Sequence, residues 1–407
     1  MSHDDPGRSR GSDSRDGTLA VPGAAHDDAD RWPTQVFADL PRVFRVLLPE
    51  IDELAWHEET RADCRNCVMA PAVSGDGLDT PWSFHPDGRC CTFQPGLANF
   101  LAGRALRRGG RGAELIAARV ARRDGVSAWG IRPSAEWRET YLASADDRFG
   151  RDLSLRCHYW VGGDHACGIW HERPSTCRTW FCKHDHGLRG AAVWAQLQRL
   201  LAHCESVLAN FCIVKGQAPL DDSGAQGDPD HRENAGLPAP AGPAADEWLA
   251  WYRECAGRVD QLDALSAEEL ARVLDLAPDA SGDPALRDGR DDLVTLSRRR
   301  PDRSRGAVPE VVVPAVEGTW PEERGVRISG YSRYDTVIAP ISLFAFLAKL
   351  DGARTWRRAQ AELVAEGHEP ISDELIAELH RVGAIEAPGT SNPTVITRTP
   401  FPLVGDG

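Results

Sequence analysis

Eight cysteines are concentrated in two stretches of the chain that lack a core-forming pattern. The stretches run over residues 64–91 and 157–186, and they are irregular and poor in periodic apolar residues. A loop of this kind needs something other than a hydrophobic core to hold one shape, and a bound metal can serve. The eight residues are Cys64, Cys67, Cys90, Cys91, Cys157, Cys167, Cys177 and Cys182.

The compartment decides how these cysteines are interpreted. The start of the chain, MSHDDPGRSRGSDSRDG, has no apolar segment typical of a secretory signal. No apolar run reaches the ~20 residues that span a bilayer. We therefore expect a cytoplasmic protein that does not enter a membrane. In a reducing cytoplasm, clustered cysteines are more often metal ligands or catalytic thiols than disulfides, and the odd total of 11 agrees with this.

Thiolates on short loops are the ligands of zinc sites and iron–sulfur clusters. The spacing of Cys64 and Cys67 places two sulfurs within reach of one ion. We predict zinc or iron, possibly as an iron–sulfur cluster, held by the eight cysteines. A catalytic cysteine is the competing interpretation, since Cys157 precedes His158 and Cys182 lies near His184. Catalytic thiols are usually single, which favours metal binding.

Five histidines in the second stretch are either metal ligands or solvated loop residues. They are His158, His165, His171, His184 and His186. The three remaining cysteines have a different setting. Cys204 and Cys212 lie on or near the apolar stripe of a long predicted helix, and Cys255 lies on a later helical pattern. We predict that these three are small core residues.

The fold class predicted is mainly α with irregular metal-stabilised loops, in a cysteine-cluster domain and a C-terminal winged-helix-like domain. The predicted divisions are a disordered tail (1–31), the cysteine-cluster metal-binding domain (32–215), a flexible Pro/Gly linker (216–245), a helical connector (246–306) and the winged-helix-like domain (307–395).

Apolar spacing predicts individual elements. Helical patterns cover 97–120, broken at Gly109–Gly110, and then 191–214 and 246–262. Ser266 and Glu269 form a capping-box pattern. Strands are predicted at 311–313 and 326–328. They precede helices at 341–350, 356–366 and 372–382, with Ser372 as N-cap and a strand starting at 383–385.

The run CGIWHERPSTCR, residues 167–178, resembles the C-x-I-Y-E-x-R-P-x-x-C-R signature of the YkgJ-like cysteine-cluster family. Cys157 falls where that family has a further cysteine, and Cys90–Cys91 resemble its double cysteine. The resemblance covers about residues 60–190. One feature departs from the family, because an insertion separates Cys64 and Cys67 from the double cysteine.

The resemblance implies zinc or iron chelation without a single established reaction. Four thiolates on one Zn²⁺ leave a net charge of about −2, so neighbouring cations help. Arg173 and Arg178 are the residues placed to donate to the sulfurs or to anchor the loop. A surface ion pair with Glu172 or Asp185 is the alternative for these arginines.

The segment 341–355, ISLFAFLAKLDGART, is similar to winged-helix modules, which include PqqD-type peptide-recognition domains and DNA-binding forms. The net charge of −14 and the mixed charge of the predicted helices make nucleic acid an unlikely partner. A peptide or protein partner is the prediction, with dimerisation as the alternative.

Three functions are consistent with these features. The first is a metal-binding protein with a partner-binding C-terminal module. The second is an iron–sulfur-dependent enzyme that modifies a peptide or protein, because some relatives of the family lie in enzymes that methylate lysines. The third is a metal- or redox-sensing regulator.

Overall fold

The computed structural model describes residues 39–48, 67–70, 83–162, 166–219, 243–274, 288–294, 308–323 and 325–389. Helices predominate in these ranges, with four small antiparallel sheets. The mainly α class predicted from the sequence is therefore confirmed. The predicted tail (1–31), Cys64, His165 and most of the predicted linker lie outside the described residues.

The helices, in chain order, are α1 (Val43–Leu47), α2 (Asn99–Arg108), α3 (Gly110–Arg122), α4 (Ala135–Arg148), α5 (Ser175–Thr179), α6 (Gly187–Lys215), α7 (Ala245–Leu262), α8 (Ala267–Val273), α9 (Leu343–Leu347), α10 (Trp356–Ala365) and α11 (Asp373–Arg381). Residues 288–294 are also helical. Short 3₁₀ helices lie at Arg89–Thr92, Leu153–Leu155 and Trp170–Glu172.

The strands form four separate sheets. They are β1 (Leu97–Ala98), β2 (Val126–Ser127), β3 (Gly130–Ile131), β4 (Trp160–Val161), β5 (Ala166–Cys167), β6 (Val313–Pro314), β7 (Gly318–Glu322), β8 (Gly325–Ser329), β9 (Val337–Ala339) and β10 (Ile385–Glu386). The sheet orders are β1–β3–β2, β4–β5, β7–β8–β9 and β10–β6.

Helices α2 and α3 form the predicted broken helix. The break falls at Gly109, whose φ of 81° lies in a region that glycine enters without steric cost. Helix α2 packs very closely on α7, because a Cβ atom on Gly103 would stand 1.7 Å from the carbonyl oxygen of Tyr252. Helices α2, α3, α6 and α7 together bury the main hydrophobic core.

Several predicted helix ends are confirmed. Ser266 accepts a hydrogen bond from the amide of Glu269, and the Glu269 side chain accepts one from the amide of Ser266, completing the capping box. Ser372 caps α11 by accepting from the amide of Leu375 at 3.2 Å. Helix α9 is shorter than the predicted 341–350, because the residues on either side of Leu343–Leu347 form turns.

The C-terminal module, residues 308–389, places its three-stranded sheet before its three helices. The strand predicted at 311–313 is displaced, since β6 covers Val313–Pro314 and pairs with β10, while Val311 makes an isolated bridge to Thr355. A second core fills this module. Ala191 of α6 belongs to the same core, so the long helix packs directly against the module.

A third cluster, the aromatic cluster, lies beside the cysteines. Its rings are Phe84, Phe93, Trp137, Tyr141, Phe149, Trp180 and Tyr334. Most pairs meet edge-on, while Trp137 and Tyr141 stack with ring centroids 5.0 Å apart. Tyr334 comes from the C-terminal module and contacts Phe84 and Phe149, so the cluster joins that module to the cysteine-rich part.

No helix in the described part of the chain is both long enough and apolar enough to span a bilayer.

Candidate metal centre

Residues Cys90 and Cys91 sit on a 3₁₀ helix that is held by strained backbone. Arg89, which precedes them, has a φ of 53°, a left-handed conformation that is uncommon outside glycine. Its amide donates to the carbonyl of His85 at 2.8 Å. The amide of Cys157 donates to the carbonyl of Cys91 at 2.7 Å, which ties the two cysteine-rich stretches together.

The second stretch presents its cysteines from a hairpin and a helix. Strands β4 and β5 pair Trp160 with Cys167, and Cys157 lies just before β4. The amide of Tyr159 donates to the Cys157 sulfur at 3.5 Å. Cys177 lies within α5, whose first turn begins after Pro174.

The effect of one thiol on the pKa of another shows which thiols are neighbours. A hydrogen bond with the Cys91 thiol, together with burial and the nearby Cys67, raises the pKa of Cys90 well above its ordinary value. Burial, and then Cys167, raises the pKa of Cys157 to about 12. We call the set Cys67, Cys90, Cys91, Cys157, Cys167 and Cys177 the thiol cluster.

Cys177 completes the thiol cluster. Burial raises its pKa well above the ordinary value, and the neighbouring Cys157, Cys167 and Cys90 add to the rise. Cys90, Cys157 and Cys177 therefore resist ionisation, because their surroundings are desolvated and neighbouring thiolates would repel a second negative charge. A nucleophilic cysteine needs the opposite, a lowered pKa, so these values argue against thiol catalysis by the unassisted cluster.

Arg173 lies beside the thiol cluster, as the sequence predicted. Its positive charge lowers the pKa values of Cys90 and Cys177, against the larger effects that raise them. The guanidinium stacks 3.4 Å from the centroid of the Trp170 ring and donates through Nε to the Trp170 carbonyl at 3.0 Å. This stacking keeps the cation in a fixed position.

Arg178 holds the loop rather than the sulfurs. It is buried, and its Nε donates to the carbonyl of Arg173 at 2.5 Å while another nitrogen donates to the carbonyl of His171. Burial lowers its pKa to about 10. The Glu172 carboxylate accepts from Arg108 Nε at 2.6 Å.

A second cation, Arg119, was not predicted from the sequence. It is fully buried on α3, donates to the carbonyl of Arg132 at 2.7 Å and to the Tyr159 hydroxyl at 3.3 Å, and its charge lowers the pKa of Cys157. One feature of the sequence indicates that Arg119 is buried, because it falls beside Ile116 and Val120 on the apolar stripe of its helix. A charge on a buried stripe needs a polar partner.

Three of the histidines have partners other than cysteine. His158 Nδ1 lies 3.2 Å from Asp124, and His171 Nδ1 lies 2.9 Å from Asp39. His184 is buried, with Nδ1 3.1 Å from the Tyr331 hydroxyl, and burial lowers its pKa to about 4. These contacts favour the interpretation of these three as structural residues.

Two further predicted ligands are Cys182 and Cys64. Cys182 packs on the same aromatic cluster as Cys67 and Cys90, and Cys64 lies outside the described residues. Cys204, Cys212 and Cys255 are fully buried in the main core, which confirms their predicted structural role. None of the ten described cysteines forms a disulfide. Within the described ranges, no three Cys, His, Asp or Glu side chains already stand in a ligand geometry for a metal ion.

The chain matches no known protein family, no curated protein and no solved structure. The resemblance to the YkgJ-like family therefore stays a prediction that is carried by the motif alone.

Proposed function

We propose that this protein binds zinc or iron through the thiol cluster, Cys182 and Cys64, with the C-terminal module binding a peptide or protein partner. The observation that carries the metal proposal is the convergence of thiols from four separate segments, which hold Cys67, Cys90–Cys91, Cys157–Cys167 and Cys177. Soft thiolates in this number suit zinc, iron or an iron–sulfur cluster.

The chain supplies the surroundings such a site requires. A bound cation would supply the positive charge that lets the desolvated thiols ionise. Arg173 and Arg119 approach the thiol cluster from two sides and would offset the remaining negative charge. Arg178 fixes the loop between Cys167 and Cys177 through its bonds to backbone carbonyls.

Metal content and the absorption spectrum of protein purified without oxygen test the proposal. Zinc or iron is expected in the wild type and is lost in Cys157→Ala and Cys177→Ala. Cys212→Ala is the matched control, because Cys212 is a buried thiol outside the thiol cluster. Wild-type protein without metal, or equal metal retention in all three variants, would contradict the proposal.

The identity of the metal distinguishes the three candidate functions. Colourless protein with zinc supports a structural or carrier site. The broad visible absorption of thiolate-ligated iron supports the second candidate, an enzyme that modifies a peptide or protein by redox or methyl-transfer chemistry. Loss of the metal on mild oxidation, with a change in partner binding, supports the regulator.

The partner proposal is supported by an apolar patch on the C-terminal module. Strand β9 stands at the edge of its sheet, and Ile338, Ile341 and Phe344 are 52%, 71% and 45% exposed. An extended peptide can add to such an edge and place alternate side chains on the patch.

Selection of displayed peptides against the full chain tests the partner proposal. We expect peptides with alternating apolar residues that lose binding to Ile341→Asp and keep binding to Val364→Asp, an exposed apolar residue on α10. Equal binding to both variants would refute the peptide site. Self-association that Ile341→Asp abolishes would identify the patch as a dimer interface instead.

A further inference from the structure

A cavity of about 420 Å³ lies between α6, α5 and the segment 93–98, near Cys177 of the thiol cluster. It falls within the size range of small-molecule sites, roughly 300–1,000 Å³. Pro174 and Ser175 form one border, only two or three residues from Cys177. Charged and apolar side chains line the rest, among them Glu205, Arg132, Arg138, Phe93, Leu97 and Trp129.

Glu205 is the half-buried acidic group of this cavity. Its two carboxylate oxygens accept hydrogen bonds from the amide of Ser175 at 2.7 Å and the hydroxyl of Ser175 at 3.0 Å. Among the described residues its carboxylate has no ion-pair partner, although the charge of Arg178 reaches it. Capping α5 accounts for the two hydrogen bonds, but a cap does not require a carboxylate that lines a cavity.

Positive charge lines the same cavity. Arg132 lies before α4 and Arg138 lies within it, and the exposed Glu139 lines the cavity beside them. The cavity therefore offers a carboxylate from α6 and two guanidinium groups from the 132–138 segment. A ligand with one positive and one negative group would be oriented by these two sides.

Part of the cavity wall is apolar. Phe93, Leu97 and Trp129 line it, and Leu97 is almost fully buried. An apolar body gains free energy by leaving water against such a surface. The small volume excludes a folded partner and suits a molecule the size of one amino acid.

We propose that this cavity binds a small zwitterion of the α-amino-acid class, with its ammonium at Glu205, its carboxylate at Arg132 and Arg138, and an apolar side chain on Phe93, Leu97 and Trp129. The proposal goes beyond metal binding and does not depend on it. Burial raises the pKa of Glu205 to about 7, so an ammonium group bound beside it would favour the ionised carboxylate.

Isothermal titration of the full chain with L-leucine tests the proposal. L-Leucine amide lacks the carboxylate and N-acetyl-L-leucine lacks the ammonium, so each removes one of the two charged contacts. We expect both analogues to bind about ten- to a hundredfold more weakly than leucine. No heat from leucine at millimolar concentration, or equal affinity for all three compounds, would overturn the proposal.

Variants locate the ligand in the cavity. Glu205→Gln and Arg138→Gln should each weaken leucine binding about tenfold or more, while Glu268→Gln on the exposed side of α8 should leave it unchanged. Ser206→Trp fills the cavity from the exposed face of α6 without touching the core. This variant therefore tests leucine binding in the cavity even if Glu205→Gln fails to fold. Unchanged leucine affinity in Ser206→Trp would place the ligand elsewhere and overturn the proposal.

Discussion

Replacing Glu205 with glutamine should change how the stability of this protein depends on pH. Burial raises the pKa of Glu205 from 4.5 to about 7 in the folded protein. The folded state therefore holds this proton up to a higher pH than the unfolded state does. The stability contribution is fully present below pH 4.5 and is lost as pH rises through 7. Glutamine has no proton to lose, so the variant lacks this dependence.

The size of this pH dependence is set by the shift in the pKa of Glu205. A pKa shift of this size corresponds to about 3 kcal/mol, taken as an upper limit because Glu205 is partly exposed. The free energy of unfolding of the wild type minus that of Glu205→Gln should fall by up to about 3 kcal/mol between pH 4.5 and pH 8. The hydrogen bonds from Ser175 favour the ionised carboxylate and so reduce the pKa shift, and the value of about 7 already includes their effect.

Urea unfolding followed by tryptophan fluorescence, at several pH values, measures this difference. The lowered pKa of His184 makes an opposite contribution, since stability that depends on neutral His184 is lost as pH falls below 6.5 towards 4. His184 is present in both proteins, so it cancels in the difference. Glu268→Gln controls for the loss of one negative charge. A difference between wild type and Glu205→Gln that is constant with pH would refute the reasoning.

Three further predictions concern packing, a buried ion pair and the thiols. Gly103→Ala should lower the free energy of unfolding by at least about 3 kcal/mol, because its Cβ would overlap the Tyr252 carbonyl. Gly257→Ala is the control and should not destabilise the protein, because Gly257 faces open space on α7. Equal effects of the two substitutions in urea unfolding would refute the close packing. Asp335→Ala should cost about 3 kcal/mol, because it removes a buried carboxylate that accepts from Arg381 at 2.6 and 3.0 Å and from the Tyr331 hydroxyl at 2.6 Å. A loss below about 1 kcal/mol in the same assay would contradict this. In metal-free protein at pH 8, Cys157 should be alkylated about a thousandfold more slowly than a cysteine in an unfolded peptide, because burial raises its pKa to about 12. Mass spectrometry of the alkylated peptides gives the rates. Equal rates would contradict the environment described for Cys157.

Helices with strong apolar periodicity were predictable from the sequence. The break at Gly109–Gly110, the long helix α6 and the capping box at Ser266 all depend on local signals, and the structure has them where they were predicted. Helix α4 was missed because it carries few apolar residues, which pack on the aromatic cluster rather than along one regular stripe. Strand β7 was missed because Gly318 and Pro321 are poor strand residues.

The site was predictable in its residue types but not in its arrangement. Clustering marked the cysteines and the motif marked Arg173, whereas the contribution of Arg119 depends on how α3 packs against Tyr159. No local pattern indicates that the chain from Cys91 returns beside Cys157. Glu205 was missed for the same reason, because its environment is made by α5 and by residues far earlier in the chain, such as Phe93.

The position of Tyr334 has a consequence for how this protein could be divided by evolution or in the laboratory. A transplanted segment of residues 308–389 would carry away one ring of the aromatic cluster and leave Phe84 and Phe149 without their neighbour. It would also leave behind Ala191, which fills part of the core of the C-terminal module. Separation of residues 308–389 from the rest of the chain would therefore damage both parts, so we expect the two parts to be inherited and lost together.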